Sequence, residues 1–479
     1  MLDLQERLSG RLGSKGWLSQ ADAVPYQRDW LDRFGVAPLG VARPADTQEV
    51  ADVVKACRAA GVRIVPQGGN TGLCGGAVAH GQDTVILSLS RMTHIEPPEA
   101  ESGSIRVGAG VVLSALHEVV ERHGLIFPLH LGAEGSARIG GLIGTNAGGS
   151  QAFRYGLMQD LVLGLEVVLP DGEIWNGLRS VLKDNAGYQL RKLFAGSEGT
   201  LGVITRAVLR LFPAPRARVT ALLALPSHEA AMAFGALVRR EAAEFTSALE
   251  FFSDFGVSLA LKHVAGLTFP LESRDAAYVL VELTAGSALV PLDDILASLL
   301  EQGMAQGLVS DGALAMSEAQ RAHFWRLREE QPEGQRLEGQ QVKNDICVPP
   351  GKIAAFIAAG GQICQEILPG ARVNPFGHLA DGNIHYNISP PEGGEMAADS
   401  IPALVQALAS LATGMDGSFA AEHGLGRSKV ALADNSRHST ERALMLALKQ
   451  ALDPAGIMNP GVVVASTWQR RTFQMPGIS

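Results

Sequence analysis

Hydrophobic residues recur with two different periods in the first half of the chain, and these periods predict alternating helices and strands. Apolar positions three and four residues apart within 46–57 and 114–123 indicate amphipathic helices. Short runs of β-branched and other apolar residues predict strands at 40–44, 63–66, 85–89, 105–107 and 163–169. The Asp171-Gly172 pair after the last run is typical of a hairpin turn.

The pattern changes at the proline-rich segment PAPRARV, residues 213–219. Beyond it, apolar runs predict strands at 221–225 and 278–283, and Ala-rich amphipathic runs predict helices at 228–238, 292–300, 401–412 and 441–452. We therefore expect an α+β chain in four parts: a helical lead-in (1–36), a glycine-rich domain (37–214), a second domain (215–425) and a helical C-terminal segment (426–479) that packs back on the first domain.

The composition excludes several classes of protein. The chain has 479 residues, of which 46% are hydrophobic and 19% charged, so it lacks the signature of intrinsic disorder. Lys and Arg number 40 against 49 Asp and Glu, and the resulting net charge of −9 argues against a nucleic-acid-binding surface. No stretch approaches the roughly 18 consecutive apolar residues that a membrane span needs.

The cysteines and the first residues bear on location. The four cysteines form no C-x-x-C pair, which favours free thiols in a reducing compartment. The start MLDLQERLSGRLG has neither the apolar core of a secretion signal nor the Arg- and Ser-rich, acid-poor character of a transit peptide. We expect a cytoplasmic homodimer, or a mitochondrial matrix protein if the source is eukaryotic.

Three glycine-rich tracts lie next to predicted strands: VPQGGNTGLCGG (65–76), GAEGSARIGGLIGTNAGG (132–149) and GSEGTLG (196–202). Glycine lets backbone N–H groups approach an anion closely, as a phosphate or pyrophosphate requires. A single tract of this kind is as often only a turn. Neither G-x-G-x-x-G nor the P-loop motif occurs, so three tracts together predict a dinucleotide bound by another type of fold.

Histidine and glutamate residues in the second half form a candidate metal set. NPFGHLADGNIHYN places His378 and His385 seven residues apart, and AAEHGLG places Glu422 beside His423. Two imidazoles and a carboxylate suit Zn²⁺ or another borderline divalent cation. A single histidine is more often hydrogen-bonded than ligating, so the spacing alone leaves both interpretations open. The segment His117-Glu118 begins like H-E-x-x-H, but the second histidine is missing.

Two basic residues are candidates for an anionic substrate. Arg328 lies on a predicted helix, and Lys343 lies on a predicted strand whose same face carries Asp345. Isolated surface cations are usually only solvated, so the residues by themselves leave this role open.

Several blocks in order resemble a known family. PQGGNTGLCGG, IGGLIGTNAGGSQAFRYG, LPDG and KDNAGYQLRKLFAGSEGTLGVIT are similar to the FAD-binding domain of the vanillyl-alcohol-oxidase-type flavoproteins, and closest to their D-2-hydroxy-acid dehydrogenase branch. The resemblance covers roughly residues 38–461. It implies an α+β fold with a two-subdomain FAD-binding domain, a substrate-binding cap domain with an antiparallel sheet, and a helical C-terminal segment.

The resemblance also implies site residues. FAD, expected to be noncovalent, would be held by Pro66, Gly68, Gly69, Asn70, Thr71, Gly72, Gly75, Gly76, Gly135, Gly140, Gly141, Gly144, Thr145, Asn146, Gly149, Tyr155, Gly156, Glu198, Gly202, Val203, Ile204 and Asn459. A divalent metal, expected to be zinc, would be held by His378, His385 and Glu422, with His423 as the catalytic base. Arg328, Lys343 and Asn387 would bind substrate.

The implied activity is oxidation of a D-2-hydroxy acid to the 2-oxo acid, with D-2-hydroxyglutarate as the first expectation. D-lactate, D-malate and glycolate are alternatives, as is, in a different class, a non-redox flavin-dependent transferase of the same fold. Pro332 stands where the family pattern has a hydroxyl residue, which weakens the case for a second carboxylate. The electron acceptor, for example an electron-transferring flavoprotein, is left open.

Overall fold

A computed structural model describes residues 2–19 and 21–465. The strands are β1 Trp17–Leu18, β2 Gly40–Ala42, β3 Arg63–Gln67, β4 Thr84–Ser88, β5 Ser104–Gly108, β6 Leu125–Ile126, β7 Val162–Val168, β8 Ile174–Gly177, β9 Val203–Arg210, β10 Phe212–Pro213, β11 Ala217–Leu225, β12 Thr246–Ser253, β13 Ala277–Ala285, β14 Asp311–Leu314, β15 Asp345–Cys347, β16 Arg372–His378 and β17 Asn383–Ser389.

The helices alternate with these strands. They are α1 Leu2–Gly16, α2 Val24–Gln27, α3 Thr47–Ala60, α4 Leu113–Glu121, α5 Ile139–Gly144, α6 Ala152–Tyr155, α7 Met158–Leu161, α8 Leu190–Phe194, α9 His228–Ala242, α10 Asp254–His263, α11 Leu292–Ala305, α12 Glu318–Glu329, α13 Gln331–Glu338, α14 Ile353–Ile367, α15 Ser400–Gly414, α16 Val430–Ser436 and α17 Ser439–Leu452, with a 3₁₀ turn at Pro350–Lys352. Every strand and helix predicted above from periodicity is present, with ends shifted by a few residues.

The first sheet has the order β1-β2-β4-β3. Strands β2, β4 and β3 are parallel, because α3 crosses over between β2 and β3. The lead-in, expected to be helical, also supplies β1, which pairs antiparallel with β2. Two residues are too few to show an alternating pattern, which explains why the sequence did not indicate this strand.

The second sheet, β5-β9-β7-β8, is antiparallel. Gly172, with φ +83°, lies in the turn that joins β7 to β8, as the Asp-Gly pair predicts. Both sheets share one buried apolar core with α3, α4 and α5. The glycine tracts occupy the loops around this core.

The third sheet is antiparallel and has the order β14-β11-β13-β12-β16-β17-β15. Its strands are apolar on both faces, and successive residues point into different cores. Leu223 belongs to the core that includes side chains of α9, α11, α14 and α15, and Leu222 belongs to the core that includes side chains of α10 and α12. Helices therefore cover both faces of the sheet. This is the antiparallel cap sheet that the resemblance implies.

The segment after residue 425 returns to the first half of the chain. The Ile64 N–H donates to the Ile457 carbonyl at 2.8 Å, and the Asn459 N–H donates to the Ile64 carbonyl at 2.8 Å. The predicted fold class is confirmed. The exact domain boundaries stay predictions, and residues 466–479 of the predicted C-terminal segment lie outside the described residues.

Within the described residues, none of the helices combines the length and the apolar character that a membrane span requires. The four cysteines are free thiols, as expected.

Candidate functional site

The first and second glycine tracts approach each other backbone to backbone. A Cβ atom on Gly69 would lie 2.1 Å from the Ser136 carbonyl oxygen, and one on Gly68 would lie 3.1 Å from Cα of Gly141. Only glycine allows this approach. The structure thus brings together two loops that are about seventy residues apart in sequence.

The third tract joins the same place. The Glu198 N–H donates to the Gly144 carbonyl at 2.8 Å. The Asn459 side-chain amide donates to the Gly76 and Glu198 carbonyls, each at 2.8 Å. Four predicted cofactor residues other than glycine have positive φ, a strained conformation that concentrates at functional sites: Asn70 (+55°), Asn146 (+51°), Glu198 (+49°) and Asn459 (+42°).

The predicted cofactor residues fall into two groups. Gly72, Gly135 and Gly144 border open space, since no atom lies within 4 Å of an added Cβ. Packing accounts for others, whose added Cβ would overlap neighbouring protein atoms: Gly75, Gly140, Gly149, Gly156 and Gly202. Val203 and Ile204 are buried at the start of β9. The Tyr155 ring packs edge-on against Phe212, and the Thr145 hydroxyl donates to the Gly141 carbonyl. Pro66 packs against Gly199.

Four neighbouring strands of the cap sheet carry a row of polar side chains. Glu250 on β12 pairs in register with His378 on β16, and Asp345 on β15 pairs with His385 on β17. His385 is opposite Phe376, two residues before His378, so both histidines lie on one face of the sheet. Antiparallel pairing therefore unites residues from 250, 345, 378 and 385.

His378, His385 and Glu422 point their ligand atoms to within 4.8 Å of one another. The Glu422 carboxylate oxygens lie 3.3 Å from His378 Nε2 and 3.9 Å from His385 Nε2. The other ring nitrogens face carboxylates: His378 Nδ1 is 2.7 Å from Glu250 and His385 Nδ1 is 3.9 Å from Asp345. Carboxylates behind the imidazoles are typical of metal-binding histidines.

The electrostatics of this group follow from burial and charge. Burial would lower the pKa of His378, but the Glu250 carboxylate outweighs it and raises that pKa well above 6.5. Burial lowers the pKa of His385 to about 4, which favours its neutral form. Burial alone would raise the pKa of Glu422, yet its bond to His378 brings it down to about 2. His385 and Glu422 are therefore already in the forms that bind a metal, a neutral imidazole and an ionised carboxylate, whereas His378 releases its proton when a metal binds.

A turn at residues 422–426 brings Glu422 and His423 to one site. Asp345 Oδ2 accepts from both backbone N–H groups, at 2.8 and 2.9 Å, and lies 3.4 Å from His423 Nδ1. Gly424 (φ +69°) and Gly426 (φ +51°) make the turn, as their positions predict.

The turn also reaches the glycine tracts. The half-buried Glu198 carboxylate accepts from the Leu425 and Gly426 N–H groups at 2.8 and 2.9 Å. A Cβ on Gly148 would lie 3.3 Å from Glu422 Oε1. The candidate cofactor loops and the candidate metal set therefore form one continuous site between the two halves of the chain.

The predicted substrate residues have different surroundings. Among the described residues, only Glu250 bonds to the Arg328 guanidinium, through Nε (3.0 Å) and Nη2 (2.9 Å). Asn387 is buried two residues after His385, on the same strand face. Pro332 lies in the first turn of α13, where its missing N–H leaves no helix bond unmade.

Lys343 is not on a strand, contrary to the prediction. It lies between the isolated bridge at Val342 and the start of β15. The register against β17 is the same on both sides of it, since Val342 is opposite Ile388 and Asp345 is opposite His385, so the predicted strand begins two residues too early. Lys343 is solvent-accessible. Partial burial of its ammonium group is the main cause that lowers its pKa, and the nearby Arg33 and Arg336 charges lower it further.

The sequence reasoning did not assign Glu250, Asp345 or Gly148 to the site. For Glu250 and Asp345 the sequence does carry a signal, since each is a charged residue beside apolar residues of a strand. Charged side chains are almost never fully buried unless they are paired, so a carboxylate at such a position indicates a partner. Gly148 was one glycine among many in its tract, and only the contact with Glu422 distinguishes it.

The residues fit both groups that the resemblance implies. Open backbone at Gly72 and Gly144, with strained asparagines beside it, fits a pyrophosphate-containing cofactor. Two imidazoles and a carboxylate, with carboxylates behind them, fit a divalent metal.

Two family models match the chain. The model described as "FAD linked oxidases, C-terminal domain" matches residues 214–463, and the one described as "FAD binding domain" matches residues 38–177. Together they cover both halves of the site.

The chain is also similar to named proteins. It is 38% identical to "D-2-hydroxyglutarate dehydrogenase" of Xanthomonas citri pv. viticola, over 92% of each chain. It is 38% identical to "D-2-hydroxyglutarate dehydrogenase, mitochondrial" of Bos taurus, over 91% of this chain and 78% of that one. A solved structure of p-cresol methylhydroxylase with substrate bound matches with TM-score 0.76 at 15% identity, over 97% of each chain, and shows the shared fold.

Proposed function

The chain belongs to the family of FAD-linked oxidases that includes the D-2-hydroxyglutarate dehydrogenases, and from this premise we propose that it oxidises D-2-hydroxyglutarate to 2-oxoglutarate with the help of a divalent metal. As a member of this family it is a flavoprotein and an FAD-linked dehydrogenase. The substrate, the metal and the base are the parts that we propose.

One observation carries the proposal. His378, His385 and Glu422 converge within 4.8 Å, beside a further histidine and in contact with the glycine tracts. A purely structural cluster needs no carboxylate behind each imidazole, no adjacent free histidine and no contact with a cofactor site.

We assign FAD to the glycine tracts, held noncovalently by the residues named above. FAD, when bound, supplies the acceptor for the hydride that leaves C2 of the substrate. Gly72, Gly135 and Gly144 leave open space where a side chain would stand, and Asn459 and Glu198 hold the three tracts together.

We assign the divalent metal, zinc in the first instance, to His378, His385 and Glu422. When bound, it supplies a Lewis acid that makes the substrate hydroxyl more acidic. Glu250 and Asp345 orient the two imidazoles from behind, at 2.7 and 3.9 Å.

We assign the role of general base to His423. Its Nδ1 faces Asp345, which favours the tautomer with the proton on that nitrogen and a free lone pair on Nε2. Nε2 accepts the hydroxyl proton as the hydride leaves C2, and the products are the 2-oxo acid and protonated His423.

Cations near the candidate metal set suit a substrate with two carboxylates. The Arg328 side chain keeps Nη1 available while Glu250 holds the rest of the guanidinium. Lys343 is accessible, and the Arg33 and Arg336 charges outweigh Glu333 in their effect on its pKa, so the local potential is positive although the whole chain carries −9. We propose that Arg328, Lys343 and Asn387 bind the two carboxylates, and that this potential compensates for Pro332.

An anaerobic titration tests the proposal. The FAD-loaded protein is mixed with D-2-hydroxyglutarate, its L-isomer or D-lactate while the visible flavin absorbance is recorded. We expect D-2-hydroxyglutarate to bleach the flavin, chelator treatment to abolish this, and Zn²⁺ or another divalent cation to restore it. The L-isomer is the matched control.

Other outcomes would contradict specific parts. If only D-lactate bleaches the flavin, D-lactate is the substrate and D-2-hydroxyglutarate is not. If bleaching survives complete metal removal, the metal has no role in the reaction. If no hydroxy acid bleaches a bound flavin, the transferase alternative takes the place of the dehydrogenase.

Three further proposals concern the surroundings of the reaction. We propose an electron-transferring flavoprotein as the acceptor, a homodimer and a cytoplasmic location. Reoxidation of the bleached protein by candidate acceptors, light scattering and cell fractionation test them separately.

A further inference from the structure

A second cluster of histidine and glutamate lies in the first half of the chain. His117 is on α4, and His130 and Glu134 lie in the loop between β6 and α5. Their ligand atoms are within 4.8 Å of one another. The Glu134 carboxylate oxygens lie 3.4 Å from His117 Nδ1 and 2.8 Å from His130 Nδ1. None of the three is among the residues assigned above to cofactor, metal or substrate, although Glu134 lies within the second glycine tract, beside Gly135.

The contact of His117 with Glu134 requires either a protonated imidazole ring or a cation between the two groups. The His117 Nε2 atom is 3.1 Å from the Phe127 carbonyl oxygen, which can only accept, so Nε2 carries a proton. In a neutral imidazole the Nδ1 atom then presents a lone pair, and this lone pair faces the Glu134 carboxylate. The His117 side chain is only 10% exposed, so water screens the repulsion poorly.

A cation between the groups removes this conflict. Metal-binding histidines typically donate the second ring N–H to a carbonyl or carboxylate, as His117 does to Phe127. Glu134 is held in place by the Leu131 N–H, which donates to its Oε1 at 3.3 Å. The His117 and His130 rings are 4.8 Å apart between centroids, on the same side as the carboxylate.

We propose that His117, His130 and Glu134 form a second divalent-cation site, which takes a borderline metal such as Zn²⁺ through two imidazole nitrogens and one carboxylate oxygen. This donor set suits Zn²⁺ better than Mg²⁺ or Ca²⁺, which prefer oxygen ligands.

The place of the cluster gives the cation a structural consequence. The His130 carbonyl oxygen lies against Gly149, and the Glu134 carbonyl accepts from the Ser114 N–H at 3.2 Å. A cation there ties α4 to the loop that leads into the second glycine tract. We therefore expect it to stabilise the folded chain by binding only the folded state.

Zinc content of the full-length protein, with any affinity tag removed, tests the proposal. Wild type, His130→Asn and His123→Asn are stripped with chelator, dialysed against Zn²⁺ and analysed for metal. His123 is the matched control, since it is exposed just after α4 and, among the described residues, its side chain bonds only to the Val119 carbonyl. We expect His130→Asn to hold one zinc fewer than the other two, with at least tenfold weaker binding at the lost site.

A second background separates this site from the one assigned to catalysis. The double variant His378→Asn/His385→Asn should keep one zinc, and adding His130→Asn or Glu134→Gln should remove it. The zinc-dependent rise in melting temperature should disappear with it.

The proposal is overturned if His130→Asn binds as much zinc as His123→Asn, or if adding His130→Asn to the double variant removes no zinc. It is equally overturned if nitrogen-15 NMR shows both His117 ring nitrogens protonated in the zinc-loaded protein, because a charged His117 would explain its contact with Glu134 without a metal. Since the second background lacks the catalytic ligands, failure of either site is seen independently of the other.

Discussion

At the scale of single residues, two buried carboxylates organise the site. Glu250 and Asp345 are each at most 3% exposed. Removing one partner of a buried ionic group leaves the other uncompensated, which is costly. Glu250 is therefore tied to both His378 and Arg328, and Asp345 to the backbone that carries Glu422 and His423.

The first prediction concerns the proposed base. His423→Gln should slow flavin reduction by D-2-hydroxyglutarate about 10²–10⁴-fold, the usual contribution of a positioned general base. FAD content should be unchanged. Stopped-flow absorbance of the anaerobic protein measures this, with the exposed His94→Gln as control. A rate within threefold of wild type would remove His423 from the mechanism.

The second prediction concerns Asp345 as a positioning residue. Its Oδ2 accepts from Glu422 and His423, and its Oδ1 accepts from the Asn383 amide at 3.0 Å. An asparagine can serve only one side as an acceptor, because its NH₂ group would face a donor on the other. Asp345→Asn should lower kcat about 10–100-fold and change KM much less.

Steady-state kinetics with D-2-hydroxyglutarate measures the effect of Asp345→Asn, and circular dichroism checks that the variant folds. The exposed Asp416→Asn is the control. An equal rise in KM with kcat unchanged would assign Asp345 to substrate binding instead.

At the scale of elements, the cap sheet explains why distant residues meet. Antiparallel neighbours place Glu250 opposite His378 and Asp345 opposite His385, and the period of two puts all four on one face. Helix α13 is fixed at its end to this sheet. Glu338 pairs with Lys262 (2.7 Å) and with Arg372 (3.0 Å) at the start of β16.

The third prediction is the pH dependence of this contact. Bonds from Lys262, His263 and Arg372 lower the pKa of Glu338 from 4.5 to about 2. Because the folded pKa is depressed, Glu338 stabilises the fold fully above the unfolded pKa near 4.5, and this is lost as the pH falls towards 2. Glu338→Gln should cost about 1–2 kcal/mol at pH 7, discounted for solvent screening, and progressively less below pH 5.

Urea unfolding of wild type and variant between pH 7 and pH 3.5 measures this difference. Glu333→Gln is the matched control on the same helix, since Glu333 pairs only with its neighbour Arg336 at the surface, and we expect a much smaller effect. A deficit in Glu338→Gln that stays constant with pH would show that the contact acts by packing and not by charge.

At the scale of the whole molecule, the site exists only where the two halves meet. Glu198 in the third tract binds the turn after His423, and Arg154 on α6 reaches the cap. The Arg154 guanidinium donates to the Thr284 carbonyl (3.0 Å) and hydroxyl (2.6 Å) and to the Phe245 carbonyl (3.4 Å). These contacts hold the candidate cofactor loops against the candidate metal set.

The fourth prediction tests that contact. Arg154→Met keeps the apolar stem but loses the hydrogen bonds, and should lower the free energy of unfolding by about 1–3 kcal/mol. Hydrogen exchange should rise at Phe245 and Thr284. Arg122→Met, at an exposed position paired only with Glu118, is the control. Unchanged exchange at both strand ends would show that other contacts join the halves.

Local sequence signals predicted much of this architecture. The helical spacing of Val50, Val53 and Val54 predicted α3, and these residues form its buried face. The Asp-Gly pair predicted the hairpin, and Gly172 has the positive φ that such a turn requires. Ligand types at His378, His385 and Glu422 were visible as motifs. Lys343 was misplaced on a strand, because the alternation of residues continues unchanged from Val342 to Asp345 although the regular strand begins only at Asp345.

The sequence by itself determined the elements, the glycine tracts and the donor types, since these depend on neighbours within a few residues. Only the tertiary structure decided that Glu250 and Asp345 stand behind the imidazoles, that Gly148 contacts Glu422, and that His117 meets Glu134. These contacts join residues far apart in the chain. Their partners are selected by strand register and by the packing of the two halves, and no local pattern encodes either.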